Sequence, residues 1–584
     1  MKEIKNIITV CALLMVGACG HLVDLERPPL DQIGNDSYWK SAGDLEKYIL
    51  QFYPSFDAEG STGVLGHDAT QGSDIMIEGT VNRMLDGTRP VPTSSNNQVW
   101  NWSEIRDVNI FFENYKKNED DFEAYRHYLG EAHFFKAYFY FEKVEEYGDV
   151  PWFAKPMQTD SEELYKPRDP RTTVVDSILW HLDKAIAYMD PLADVDGGNN
   201  RLSKEAALLF KSRVALFEGT WQKYHAGTAF GYPGANPAKY FQQAVDAAEE
   251  LIDGGYSVGV YSTGSPEQDY YKLFGMDDYS ANPEIILWQD FDRSLNLSHD
   301  AQLNLTVRTD DKSVTYSMIT SYLDKGGNYY SHGDLAASLK GNAYLTALAA
   351  DTDPRLHQSL WIPGDLMWDN SNGLQYFDKP YVDKNGSFRS STGFQLKKGS
   401  NPLSPGAGAG FGGDTETGAI VFRYAEALLN YAEAKYELDQ TVDYDKSINL
   451  LRKRVGMPDF AVPAGTEEMQ QDYGYSIPNE LYEIRRERAV ELAFEGHRNR
   501  DIRRWAAHTL FQGQRPRGYP LDLNEWGTQE IPIPTDENGQ LDPLQAELGT
   551  EGYGFEEGRD YLNGIPINEI TLNPNLEQNP GWNQ

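Results

Sequence analysis

Arg485-Arg486-Glu487-Arg488-Ala489-Val490-Glu491-Leu492-Ala493-Phe494-Glu495-Gly496-His497-Arg498, running on to Asp501-Ile502-Arg503-Arg504-Trp505, carries acids and bases at helical spacing. The apolar period around it predicts a helix over about 478–506. Glu487, Glu491 and Glu495 recur every four residues and so share one helix face, with arginines beside them. Two carboxylates about 5 to 9.5 Å apart across a sugar are what a glycosidase needs. Four-residue spacing equally sets acids against bases in ion pairs, and Gly496 lets helices pack closely. The block therefore reads as architecture. His133 and His497 lack a second ligand at metal spacing and read as satisfied interior histidines.

Outward from this block the chain reads as mainly α. A helix pair is expected at 103–117 and 122–147, where Tyr125, Tyr128, Leu129, Ala132, Phe135 and Phe139 form one apolar stripe that stops at Gly148. Thr172 or Thr173 caps a helix that Pro191 ends. Ser203 caps the next, which runs until Gly219, and a third spans 237–253 up to Gly254-Gly255. These are helical hairpins of the tetratricopeptide type at irregular spacing. Helical signal returns from Val421 through Ala434 and again near 444–455.

Between about 255 and 415 the periodicity is lost, so this stretch reads as irregular loops packed on the scaffold, where binding usually sits. Gly406-Ala407-Gly408-Ala409-Gly410-Phe411-Gly412-Gly413 lacks a basic residue and reads as a flexible loop, not a phosphate cradle. There is no Gly-x-Ser-x-Gly elbow. Residues 507–584 are expected to wrap the surface of one domain spanning 41–584.

The N-terminus is charged from Met1 to Lys5 and apolar from Ile7 to Val16, a run too short to cross a hydrocarbon core of about 30 Å. Val16-Gly17-Ala18-Cys19 resembles the lipobox of bacterial lipoproteins, which makes 1–18 a signal peptide, Cys19 the lipid attachment site and 19–40 a tether and docking segment. Cys11 falls inside the signal, so Cys19 alone remains and stability must come from packing. A net charge of −37 excludes nucleic acid as a partner. With 36 tyrosines and 12 tryptophans, some rings are expected in wet positions, where they can stack on sugars.

Three ordered segments are similar to the SusD/RagB family of outer-membrane nutrient-uptake lipoproteins. They are Gly130-Glu131-Ala132-His133-Phe134-Phe135-Lys136-Ala137-Tyr138 continuing to Tyr147-Gly148-Asp149-Val150-Pro151, Arg423-Tyr424-Ala425-Glu426-Ala427-Leu428-Leu429, and the block quoted at the outset. The tail from Asn573-Pro574-Asn575-Leu576 to Asn579-Pro580-Gly581-Trp582 adds a fourth match. The resemblance implies a tetratricopeptide-like scaffold with long irregular insertions. It implies a lipid-anchored receptor without catalysis or cofactor, facing the cell exterior, that captures oligosaccharides and delivers them to a SusC-like TonB-dependent porin. The membrane is met through the lipid alone.

It further implies a glycan site drawn from the loop before the first helix pair and from the irregular insertion. The first region holds Asp74, Arg83, Trp100, Asn101 and Trp102, and two tryptophans at i, i+2 just before a helix are not expected to enter one core together. The insertion offers Tyr316, Tyr322, Tyr329 and Tyr330, with Ser321–Gly327 resembling a family turn. Rings would stack on sugar faces while Asp74, Arg83 and Asn101 select hydroxyls. Calcium is left open in the Asp-rich loops, although no Asp-x-Asp-x-Asp-Gly loop occurs. A peptide-binding or purely docking subunit of the same transporter type, and a surface glycoside hydrolase, stand as alternatives.

Overall fold

The computed structural model describes residues 38–56, 67–95 and 99–582. Cys19, the signal and most of the tether lie outside them. Among the described residues no helix is long and apolar enough to cross a membrane.

The scaffold is helical. A capping box at Ser41 and Asp44 starts α1 (Ala42–Leu50), which lies on α3. Next come α2 (Ser103–Asn114), α3 (Phe122–Tyr147) and α4 (Arg171–Tyr188). The last starts from Pro170, so Thr172 and Thr173 sit in its first turn instead of capping it. From Leu129 onward α3 is buried on nearly every side, because α1, α2 and α4 all pack on it. Ser203 caps α5 by accepting from the Ala206 amide, as expected.

Helix α5 (Lys204–Tyr224) does not stop at Gly219. That glycine faces α6 (Pro237–Asp253), where an added Cβ would come within 2.7 Å of the Phe241 ring. It is a close-approach point between paired helices, not a terminator. The hairpins α3–α4 and α5–α6 stack on each other through α4 and α5, and α7 (Tyr424–Asp439) closes against α6. One large apolar core runs through all of them. Further along the chain are α8 (Ile448–Arg454), α9 (Asn479–Glu491), α10 (Arg498–Arg504) and, in the C-terminal wrap, α11 (Ile567–Leu572).

Three short antiparallel pairs tie the irregular stretch to this scaffold. They join β1 (Met76–Ile77) to β3 (Ser313–Val314), β2 (Ile285–Gln289) to β6 (Ala419–Arg423), and β4 (Leu366–Asn370) to β5 (Gly373–Tyr376). Val421, Phe422 and Arg423 are thus a strand leading into α7, not its first turn. Short helices at Tyr316–Ile319 and Gly341–Asp351 enclose a second apolar core with Val490 and Phe494. The glycine-rich 406–413 stretch is packed, with Ala407 and Ala409 buried and the Asn370 amide donating to Ser404 and Ala407 carbonyls at 2.6 and 3.0 Å.

The block at 485–505 departs from one continuous helix. Phe494 adopts φ +70° and Gly496 φ +78°, breaking the chain between α9 and α10. The break turns the Gly496 and Arg498 amides onto the buried Asp68 carboxylate, at 3.1 Å each.

Its carboxylates do form ion pairs, mostly with arginines distant in sequence. Glu491 meets Arg454 at 2.6 Å, Arg423 at 2.9 Å and Arg355 at 3.2 Å. Glu487 takes Arg355 at 2.7 Å and Arg452 at 2.9 Å, while Glu495 holds Arg423 and Lys398 at 2.6 Å. Burial pushes the Glu487 carboxyl up, but Arg355, Arg452 and Arg486 outweigh it and hold the group at about 2. The network rivets the insertion, through Arg355 and Lys398, to the scaffold. His133 lies inside the main core, its Nδ1 2.7 Å from Nδ1 of His181.

Candidate functional site

Two cavities divide the residues singled out from sequence. The first, about 220 Å³, lies where β1, the Tyr316 turn and the C-terminal wrap meet. Asp74 and Ser73 come from the segment before β1, and Tyr316, Ser317 and Thr320 from the insertion. Gln471, Gln514, Arg515 and Arg517 complete its polar lining. The loop and the insertion are brought together, as the resemblance implies, by the β1–β3 pairing and by the Tyr316 amide donating to the Arg517 carbonyl at 2.8 Å.

Asp74 does not stand free in this cavity. Arg498 grips its carboxylate through Nε and Nη2, at 2.7 and 2.8 Å, and only Ser317 Oγ approaches from the cavity side, at 3.5 Å. Its charge-assisted bonds therefore go to Arg498 instead of a sugar hydroxyl, and it fixes the wall. Arg515 and Arg517 are paired with Asp542 at 2.8 Å each. The Tyr316 hydroxyl and the side-chain amides of Gln471 and Gln514 have no hydrogen-bond partner among the described residues. Burial pushes the Tyr316 phenol up to about 12, so at neutral pH it is a hydroxyl that can donate and accept.

The second cavity is a cleft of about 490 Å³ at the start of α2. Trp100, Asn101 and Trp102 line it, so they are parted from Asp74 and Tyr316. The two tryptophans do enter one core. Their rings meet edge to face at 5.4 Å, Trp100 lies 4.9 Å from Tyr147, and Trp102 lies 5.3 Å from Phe153. Trp100 is buried, whereas Trp102 keeps a partly exposed surface. Facing them are Phe153, Lys155 and Tyr165 from the loop after α3, and Glu569 and Leu572 from α11.

The remaining candidates lie elsewhere. Tyr322 is 1% exposed inside the second core and is excluded as a ligand contact. Tyr329 packs on a third apolar cluster with its hydroxyl donating to Glu483 at 2.6 Å, and Tyr330 donates to Asp351 at 3.2 Å. Arg83 is exposed and lines neither cavity. Among the described residues no group of three or more His, Cys, Asp or Glu could hold a metal ion.

Sequence reasoning missed Gln471, Gln514, Arg515 and Arg517, which sit in stretches read as connection or surface wrap. It also missed Arg106 in the cleft, although its four-residue step from Trp102 puts both on one face of α2.

A model described as the SusD family matches residues 218–582, and one described as starch-binding associating with outer membrane matches 44–216. SusD-like protein P2 of Formosa agariphila is 24% identical over 604 aligned positions covering all of both chains. SusD-like protein P38 of the same organism is 23% identical, covering 86% of this chain and 92% of its own. A crystal structure of a SusD-like protein from Bacteroides fragilis shares the fold at TM-score 0.70 and 22% identity, covering 95% of this chain and 100% of that one. A SusD-like carbohydrate binding protein of the same species matches at TM-score 0.70 and 20% identity, covering 92% and 100%.

Proposed function

The chain belongs to the SusD family, and on that premise we propose that it is a glycan-binding lipoprotein of the outer membrane, held by a lipid on Cys19 and facing the cell exterior. It captures oligosaccharides without cleaving them and passes them to a SusC-like TonB-dependent transporter. The observation that carries the reading is the cavity between Asp74 and Tyr316, where hydroxyl, amide and aromatic groups from three distant parts of the chain converge. The carbohydrate binding printed for one structural relative and the outer-membrane association printed for one matching family support it.

Few direct contacts give a weak site, with a dissociation constant of roughly micromolar to millimolar, or about −8 to −4 kcal/mol. Such a site suits a relay, because the ligand must leave again. Calorimetry of the full-length chain in detergent against a panel of neutral and acidic oligosaccharides and short peptides tests the reading. Saccharide binding supports it, peptide binding alone transfers the role to the peptide-receptor alternative, and release of new reducing ends would make the chain a hydrolase. Co-purification with a TonB-dependent porin tests the partner.

A further inference from the structure

We propose that the cleft beside Trp102 is a second saccharide-binding site, separate from the Asp74–Tyr316 cavity, so that one chain grips a glycan at two places. The proposal rests on the saccharide reading above and extends it to a surface that shares no lining residue with the first cavity.

The cleft has a rigid aromatic floor. Trp102 is held edge-on by Trp100 and Phe153, and the Lys143 ammonium sits over its ring at 5.2 Å while donating to the Val99 carbonyl at 3.0 Å. Asn109 braces the opposite wall, its amide donating to the carbonyls of Phe153 and Lys155 at 3.1 and 3.3 Å. Tyr165, 49% exposed, supplies a second ring. Platforms fixed before the ligand arrives lose little entropy on binding.

Around that floor stand polar groups the protein does not use. Asn101 Oδ1 accepts from the amide and the hydroxyl of Ser103, each at 3.0 Å, which fixes the side chain and leaves its Nδ2 donors without a partner among the described residues. Arg106 has only Asp107, at 3.8 Å, beyond hydrogen-bond range, and Lys155 only Glu163, at 3.4 Å. The Glu569 carboxylate has no side-chain partner among the described residues. Nearly all other guanidinium groups near the core are tied by short bonds, so these donors and this acceptor mark the cleft out.

An occupant must therefore present an apolar face to the rings and both donors and acceptors to the rim. A pyranose does so, with its C–H face on one side and hydroxyls around its edge. An apolar peptide or acyl chain would cover the floor and leave the rim groups desolvated and unmatched, which is costly.

Two sites on one chain act as a bivalent grip, so a long glycan is held more tightly than a short one without any new contact. The test is calorimetry of the full-length chain with a saccharide that binds it, comparing wild type with Asn101→Ala, Arg106→Ala and Tyr165→Ala, and with Gln514→Ala in the first cavity. Trp102→Ala is a fifth variant, with Trp102→Phe as the version that preserves packing. The expected result is two binding events for a short oligosaccharide, one weakened about tenfold by the cleft variants and the other by Gln514→Ala. For a long glycan both sets of variants lower affinity. A single event that Gln514→Ala weakens and no cleft variant alters would overturn the second site and leave the first standing. Absence of any saccharide binding would remove the saccharide reading and this proposal together.

Discussion

The spine at α9 and α10 and the two cavities use the same polar residue types to opposite ends. In the spine, charge is matched to charge out of water. Arg504 meets Glu433 at 2.5 Å and Asp501 at 2.9 Å, and Arg488 meets Asp501 at 2.9 Å. In the cavities the groups without protein partners are mostly neutral amides and hydroxyls, with loosely paired cations at the rim. Paired carboxylates on one helix are the feature that most resembles catalysis in the sequence, yet they are the part of the molecule least able to reach a ligand. Buried, matched charge holds the structure together. Polar groups that are half exposed and unmatched form the surface that recognises something.

The sharpest way to break this contrast is Glu491→Gln. It removes one negative charge and leaves Arg355, Arg423 and Arg454 buried without it, so a loss of about 3–5 kcal/mol is expected, or failure to fold. Thermal unfolding measures it. A change within about 0.5 kcal/mol, the range of an ordinary surface substitution, would mean that the spine is not structural.

Acid titration probes the same burial with neutral groups. Burial, with Lys136 and Lys184 nearby, lowers His133 to about 3; burial, His133 and Lys136 lower His181 to about 2. Both are neutral in the fold and bind protons more readily when unfolded. Their contribution is thus complete above the unfolded value near 6.5 and is lost as pH falls from there towards 3, on the order of 3 kcal/mol. Glu487 acts in the same direction at lower pH, its contribution present above its usual 4.5 and lost as pH falls through about 2. Replacing both histidines by leucine should flatten the slope between pH 6.5 and 4 in urea titrations. An unchanged slope would assign that acid sensitivity to the carboxylates alone.

Gly219→Ala measures how closely the hairpins are packed. The new methyl meets the Phe241 ring at 2.7 Å, which costs about 1–3 kcal/mol, and the gain in helix propensity of about 1 kcal/mol offsets part of it. A net loss of about 1 kcal/mol is expected, read as a shift in the urea midpoint.

The fold was legible in the sequence wherever one apolar stripe decided it. The limits of α3 and α6 follow from Gly148 and Gly254, and Ser203 caps where a serine should. It was not legible where tertiary partners decide. Nothing near Phe494 announces a left-handed backbone, because the group that accepts the amides freed by the break is Asp68, more than 400 residues earlier. Val421 and Phe422 look helical until Ile285–Gln289 offers them a strand partner. The binding surface divides in the same way. Asp74 and Tyr316 were reachable through resemblance, but Gln514 and Arg517 come from the wrap, and only the folded chain sets them beside Tyr316.

The smallest expected effect sharpens the contrast most. Gln514 is exposed and its side-chain amide has no partner among the described residues, so Gln514→Ala should leave stability within about 0.5 kcal/mol. Tyr316→Phe keeps the ring that packs on the second core and removes only the hydroxyl. If the cavity recognises a saccharide, each change loses one hydrogen bond to it, about 0.5–1.5 kcal/mol, or roughly two- to tenfold in affinity. The comparison is the readout. Glu491→Gln should move stability by several kcal/mol, while Tyr316→Phe and Gln514→Ala should move affinity and leave the unfolding midpoint almost where it was. Two variants that altered stability and not binding would place this cavity with the spine, as packing, and leave the Trp102 cleft as the ligand surface.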